Sequence, residues 1–311
     1  MNVLVLGASG YTGARLVRAL LEWGHCVRGL VRDVERGIAL EQLGMDLRVG
    51  DVLVPESISS IGDEIEIVFN VLAGCRLEPS ESKRIMLDGA RNIFRIVDRA
   101  VLKKYIWTSN VSVYGYPKAT ERLTETSPLK PAYGLGHVTV EAEKLTNESV
   151  PTVTVRVASV YGRGRDSIAA LREGRLRLLN DGGNWQSRIH VDDLVQTLIQ
   201  AMGRGSAGSV YLASDDLPTI QRDFYKEIAA AMAAPAPLSL EANAARAWGV
   251  FGRAMNALAG ERQYQLSENV IGLATGNYFC LNDKMKKELG VSLTYPTFRE
   301  GYKAILSGER V

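Results

Sequence analysis

Short apolar runs alternate with helix-period stretches through the first half of the chain. Val3-Leu4-Val5-Leu6 is uninterrupted and predicts a strand buried on both faces. Arg15 to Trp23 follows, with Leu16, Val17, Leu20 and Leu21 on one side, as an amphipathic helix requires, and Gly24 stops it. The alternation predicts further strands at Cys26–Val31, Asp46–Val49, Glu66–Leu72, Tyr105–Thr108 and Thr152–Val157. It predicts helices at Val34–Leu43, Ser80–Ala100 and Tyr133–Asn147, and a first helical turn at Pro55. Strands separated by helices imply an α/β fold, a Rossmann-like doubly wound parallel sheet with right-handed crossovers. Ligands then bind at the carboxyl ends of the strands.

After residue 162 the rhythm breaks. Arg163-Gly164-Arg165 and Asp181-Gly182-Gly183 read as loops, Val191–Met202 as a helix and Ser209–Ala213 as a strand. Ala229–Leu258 is alanine-rich and predicts helix interrupted at Pro235 and Pro237; a further helix is predicted at Lys284–Leu289. The division expected is a sheet domain from residues 1–162 with 189–213, and a smaller, discontinuous substrate-binding lid from 163–188 with 214–311.

The chain has 311 residues and a formal net charge of +2, which gives no reason to expect nucleic acid or membrane insertion. Its three cysteines, Cys26, Cys75 and Cys280, show neither metal spacing nor a disulfide framework. A reducing, cytoplasmic setting is therefore expected, as is the absence of a signal peptide, a transmembrane span and a metal.

The first turn, Gly7-Ala8-Ser9-Gly10-Tyr11-Thr12-Gly13, carries chemistry. Gly7 turns tightly off the strand, Gly10 lets a pyrophosphate approach the backbone, and Gly13 lets the helix lie close on the sheet. The helix N-terminus then offers N–H groups to the phosphates. At the end of the second strand an acidic residue selects NAD and an arginine accepts the 2′-phosphate of NADP. Here the strand ends Leu30-Val31-Arg32-Asp33, with Arg36 one turn on, which favours NADP while Asp33 leaves NAD open. Asp51, after the third strand, is placed either to meet the adenine or to cap its own loop.

Several ordered segments resemble extended and atypical short-chain dehydrogenase/reductases, in the manner of the NAD(P)-dependent epimerases and dehydratases. They are the G-x-x-G-x-x-G turn, Thr108-Ser109-Asn110-Val111-Ser112-Val113-Tyr114-Gly115, Glu125-Thr126-Ser127-Pro128, Tyr133-Gly134-Leu135-Gly136-His137, Arg156–Gly162 and Ser187–Leu194. The resemblance implies a dinucleotide-contact set of Gly7, Ser9, Gly10, Tyr11, Thr12, Gly13, Arg32, Arg36, Asp51, Val52, Ala73, Gly74, Ser109, Tyr133, His137 and Ala158. It also implies a catalytic set of Tyr133, His137, Asn110 and Ser112. Two positions depart from the pattern. Asn110 stands where the family carries a serine or threonine; its amide donates a hydrogen bond but does not pass a proton as a hydroxyl does. Ser112 is the alternative if the strand continues that far. His137 replaces the lysine that holds the nicotinamide ribose and lowers the tyrosine pKa.

Three functions follow as expectations. The first is an NADP-dependent oxidoreductase that reduces the carbonyl of a small-molecule substrate, with Tyr133 as proton donor. The second is a nucleotide-sugar epimerase or dehydratase, with Arg163, Arg165 and Arg188 holding a diphosphate. The third is a non-catalytic, cofactor-holding assembly or sensor protein. Homodimerisation through two helices of the main sheet is what the resemblance implies for assembly.

Overall fold

Val3, Leu4, Val5 and Leu6 are all fully buried, because their strand, β1 (Asn2–Leu6), lies in the middle of a sheet covered on both faces. The structure is a computed structural model that describes residues 1–72, 79–243 and 267–308. On one side β1 pairs in parallel with β2 (Cys26–Val31), and β3 (Asp46–Val49) follows. On the other side come β4 (Ile67–Asn70), β5 (Lys104–Asn110), β6 (Thr152–Val157) and β7 (Val210–Ala213), every pairing parallel. The order β7-β6-β5-β4-β1-β2-β3 reverses its direction of growth between β1 and β4. A crevice opens at that switch point, beyond the carboxyl ends of the strands.

Helices cover both faces. Leu16, Val17 and Leu20 of α1 (Tyr11–Glu22) join a core with Leu194 and Leu198 from a later helix on the same face (Val191–Arg204). The opposite face is filled by Ile93 and Phe94 of α2 (Ala90–Ile96) and Leu135, Val138 and Ala142 of α3 (Gly134–Ser149). The Val191–Arg204 helix is α4.

Two helical expectations and one strand end need correction. The helix expected over Ser80–Ala100 is a short α-helix, Pro79–Lys83, a π-helical turn, Arg84–Gly89, and then α2, which stops at Ile96. Val97 is extended there and Asp98 accepts the Ala100 N–H, which turns the chain toward β5. The alanine-rich stretch is mostly not helical where it is described. The helix is Gln221–Ala231, beginning earlier than alanine content suggested, and Leu238–Leu240 is a strand paired with Arg177–Leu179. Amphipathic packing of Phe224 and Ile228 places that helix, whereas Pro235 and Pro237 keep the following residues out of it. Residues 244–258 lie outside the described residues. The segment after β5 also departs from strand: Val111–Tyr114 forms a 3-10 turn.

Two polar groups join the layers. Glu143 of α3 receives both arms of Arg156 of β6, Nε to Oε1 at 2.9 Å and Nη2 to Oε2 at 2.7 Å. Ser109 Oγ donates to the same Oε1 at 2.6 Å, and Arg156 Nη1 reaches Tyr114 Oη at 2.8 Å. Asp193 of α4 accepts the N–H groups of Thr294 and Tyr295 at 2.7 and 3.0 Å, tying the C-terminal stretch to the main layer. Among the described residues no helix is long and apolar enough to cross a membrane.

Arg156→Leu is expected to destabilise the protein by about 3–5 kcal/mol, since it leaves the buried Glu143 carboxylate uncompensated. The shift in the urea denaturation midpoint checks this.

Two buried carboxyls set a pH dependence. Burial pushes Asp193 up to about 6, against the opposing pull of its two N–H donors. Burial likewise pushes Asp215 up to about 8, with Arg188 opposing. A carboxyl whose pKa is higher in the folded state than in the unfolded chain holds its extra proton only when folded. Its contribution is therefore fully present below the ordinary value of 3.8 and is lost as pH rises through 6 for Asp193 and through 8 for Asp215. The expected slope is on the order of 1 kcal/mol per pH unit for each group in its interval. Asp215→Asn is expected to flatten the stability profile between pH 6 and 8, measured by urea denaturation across that range.

Candidate active site

The crevice is walled at one end by the turn after β1. Gly7 has φ +84°, a left-handed conformation that only glycine takes without strain. A Cβ on Gly13 would stand 2.0 Å from the Gly7 carbonyl oxygen, so α1 approaches the strand end closer than any side chain permits. Gly10 caps α1 without a side-chain hydrogen bond. The first turn of α1 carries no acidic residue and no side-chain cap, which fits a bound diphosphate at its N–H groups. Thr12 lines the crevice beside Arg165, while Ser9 and Tyr11 are half-buried around the turn. Tyr11 donates its hydroxyl to the Arg163 carbonyl at 3.2 Å, and Arg15 stacks on its ring at 4.2 Å. These contacts pin the Gly162–Arg165 loop over the glycine turn. Burial pushes the Tyr11 phenol up to about 12.

At the end of β2, Arg32 and Arg36 are both exposed. Asp33 faces its own backbone, its Oδ1 accepting the Glu35 N–H at 3.0 Å to cap the next helical turn. Asp51 behaves in the same way, accepting the Leu53 N–H at 2.9 Å. Val52 is buried against Gly89, and its carbonyl accepts from Asn92 at 2.8 Å. Ala73 and Gly74, expected to follow β4, lie outside the described residues. Ala158, just past β6, is buried and lines the crevice.

The middle of the crevice, a cavity of about 330 Å³, is mostly apolar: Leu72, Met86, Val111, Val270, Leu273 and Ala274 contribute to its wall. Asn110 stands there at the end of β5, held at both ends. Its Oδ1 accepts the Ser112 N–H at 3.0 Å and its Nδ2 donates to Thr139 Oγ1 at 3.2 Å. Ser109 also borders the crevice, but its hydroxyl is bound to Glu143 on the other side of the strand. Ser112 does not continue the strand face, because β5 ends at Asn110. Its Oγ is wholly buried and has no hydrogen-bond partner among the described residues.

Tyr133 is the N-cap residue of α3 and is 7% exposed. Its Oη lies 2.8 Å from Tyr278 Oη, and Tyr278 Oη donates to the Gly115 carbonyl at 2.9 Å. Tyr278 carries one hydroxyl proton; with that proton on Gly115, the proton between the two phenols is that of Tyr133. Tyr278 borders the crevice, and burial raises its pKa. His137, one turn into α3, is exposed and is not among the residues lining the crevice. The structure therefore gathers Asn110 with the Tyr133–Tyr278 pair and leaves His137 on an outer face.

Of the three arginines expected near a diphosphate, Arg165 borders the crevice and Arg163 is exposed. Arg188 is buried elsewhere, its guanidinium 3.6 Å from the Phe224 ring centroid and its Nη1 donating to the Gln186 carbonyl. His190 serves as the cap of α4, its Nδ1 accepting the Asp192 N–H at 3.3 Å. Tyr278, Gln186 and the Val270–Ala274 wall went unread in the sequence. No local pattern marks Tyr278, which follows Tyr133 by 145 residues. Among the described residues no group of acidic, histidine and cysteine side chains has the arrangement of a metal site.

The geometry agrees with comparisons to known proteins. A ketoreductase of Stigmatella aurantiaca, acting on 4-hydroxy-2-methyl-3-oxo-4-farnesyl-3,4-dihydroquinoline-1-oxide, is 25% identical over 305 residues, 93% of this chain and 91% of its own. A 3-diazoavenalumate denitrifying reductase of a Streptomyces species is 28% identical over 323 positions, covering 97% and 99%. The crystal structure of a human epimerase family protein with NADPH superposes with a TM-score of 0.79 at 17% identity, over 99% of this chain and 100% of that one, a likeness of fold. Residues 3–213 match the profile of the NAD dependent epimerase/dehydratase family across sheet, glycine turn and Tyr133 segment alike, and the chain belongs to that family.

Proposed function

We propose that this protein is an NADP-dependent reductase of a bulky, largely apolar carbonyl compound. The observation that carries the reading is the composition of one crevice. It joins an uncapped helix N-terminus to an apolar wall, with Tyr278 on its border and the Tyr133 hydroxyl behind it at 2.8 Å. Bound NADPH supplies the hydride. The chain's own residues do the rest. The N–H groups of α1 and Arg165 hold the diphosphate, and Arg32 with Arg36 receives the 2′-phosphate, since Asp33 is engaged in its own cap. Val270, Leu273 and Ala274 exclude water from the substrate, and Tyr133 is the source of the proton for the developing alkoxide. Both reductase relatives span nearly their whole length with this chain, which supports reduction. The burial of Arg188 away from the crevice argues against a nucleotide diphosphate as substrate.

A second reading, a cofactor-holding protein without turnover, is favoured by one feature: the Asn110 amide is engaged at both ends. Catalysis separates the two.

NADPH is expected to bind more tightly than NADH, and Arg32→Asp to narrow or reverse the preference by about 1–3 kcal/mol, the worth of a charge-assisted contact. Fluorescence titration with each dinucleotide measures it; equal affinities in the unmutated protein would remove Arg32 from the phosphate site. Gly13→Ala is expected to abolish binding of both dinucleotides, because the added Cβ forces α1 off the turn. Tyr133→Phe is expected to lower NADPH-dependent carbonyl reduction about 100-fold or more while leaving NADPH affinity intact. A protein that binds NADPH but oxidises it with no carbonyl would establish the second reading.

A further inference from the structure

The residues that hold Tyr133 come from the other end of the chain. Asn269, fully buried, accepts the Leu135 N–H at 2.8 Å and so anchors the first turn of α3. A Cβ on Gly272 would lie 2.6 Å from the Tyr133 ring, so the helix Glu268–Thr275 packs its backbone directly on that ring. Tyr278 then meets the Tyr133 hydroxyl. Gly272 and Tyr278 pack on the phenol that a lysine flanks in the resembling proteins, Asn269 holds the helical turn beside it, and His137 is exposed. Of the two phenols, Tyr278 is the one that lines the crevice, together with Asn110 and Leu273.

We infer that Tyr278 is the catalytic acid that meets the substrate oxygen, and that Tyr133 acts through it as the second member of a two-proton relay. The inference rests on the reductase reading. As the carbonyl carbon gains the hydride, the electron pair of the C=O π bond moves to oxygen. The Tyr278 O–H turns about its C–O bond from the Gly115 carbonyl toward that oxygen and gives up its proton. The Tyr133 proton, already directed at Tyr278 Oη across 2.8 Å, refills it. Solvent reprotonates Tyr133 after turnover. The relay gives Tyr278 a continuous replacement for its proton, and burial keeps it protonated in the resting protein. A raised phenol pKa does not hinder an acid that delivers its proton to a far more basic alkoxide.

The test uses the full chain with NADPH, and phenanthrenequinone and benzil as apolar carbonyl probes. Tyr278→Phe and Tyr133→Phe are each expected to lower kcat about 100-fold or more, the double variant falling no further, because both belong to one relay. NADPH affinity is expected to be unchanged in all three, which shows that the fold persists. The dependence of wild-type kcat on the deuterium fraction of the solvent is expected to bow downward, as two protons in flight require; it needs no variant. A linear dependence, or a Tyr278→Phe enzyme within about threefold of wild type while Tyr133→Phe is inactive, overturns the relay and leaves direct donation by Tyr133. A wild-type protein that binds NADPH and reduces neither probe overturns the reductase reading and the relay with it.

Discussion

The contact between Gly13 and the Gly7 carbonyl governs the geometry of the whole crevice. With 2.0 Å between that oxygen and the place a Cβ would occupy, α1 lies against the end of β1 as no other residue allows. Its position sets the direction of the first N–H groups, the seating of Tyr11, and through Tyr11 the loop that carries Arg163 and Arg165. The same helix buries Leu16, Val17 and Leu20 in the core beneath the sheet. The geometry of the glycine turn and the packing of the core therefore follow from a single close approach.

The opposite end of the crevice is built on a different principle. There the segment that carries Tyr133 is stabilised by buried polar contacts between residues distant in sequence. Arg156 and Glu143 fix β6 to α3, Asn269 fixes the start of α3 to a C-terminal helix, and Tyr278 meets Tyr133. Buried polar groups of this kind are costly unless fully paired, so each constrains its neighbours to one arrangement. The burial of Ser109 on Glu143 shows the consequence: a hydroxyl in a segment resembling a catalytic motif is withdrawn to structural use.

The substitution of His137 for the family's lysine takes on a different meaning once the fold is known. The exposed imidazole does not border the crevice, and among the described residues the neighbours of the Tyr133 ring include Tyr116, whose ring is 5.7 Å away, the backbone at Gly272 and Tyr278. One polar partner of the phenol is thus another phenol, Tyr278.

The sequence by itself determined the alternation of strands and helices, the parallel sheet and the glycine turn. Each of these rests on local periodicity or on a backbone freedom that only glycine has, and both are visible within a few residues. Cys26–Val31, Asp46–Val49 and Thr152–Val157 coincide with their strands for that reason. Reading by composition was less secure: alanine content extended a helix that the packing of Phe224 and Ile228 begins at Gln221 and that ends at Ala231. The roles of individual polar side chains were decided by tertiary structure. Asn110, Ser112 and His137 occupy motif positions, yet the fold engages the first through Thr139, buries the second and leaves the third exposed. Tyr278 shows the same dependence from the other direction, since a tyrosine with no motif around it joins the site only when the chain folds back across 145 residues.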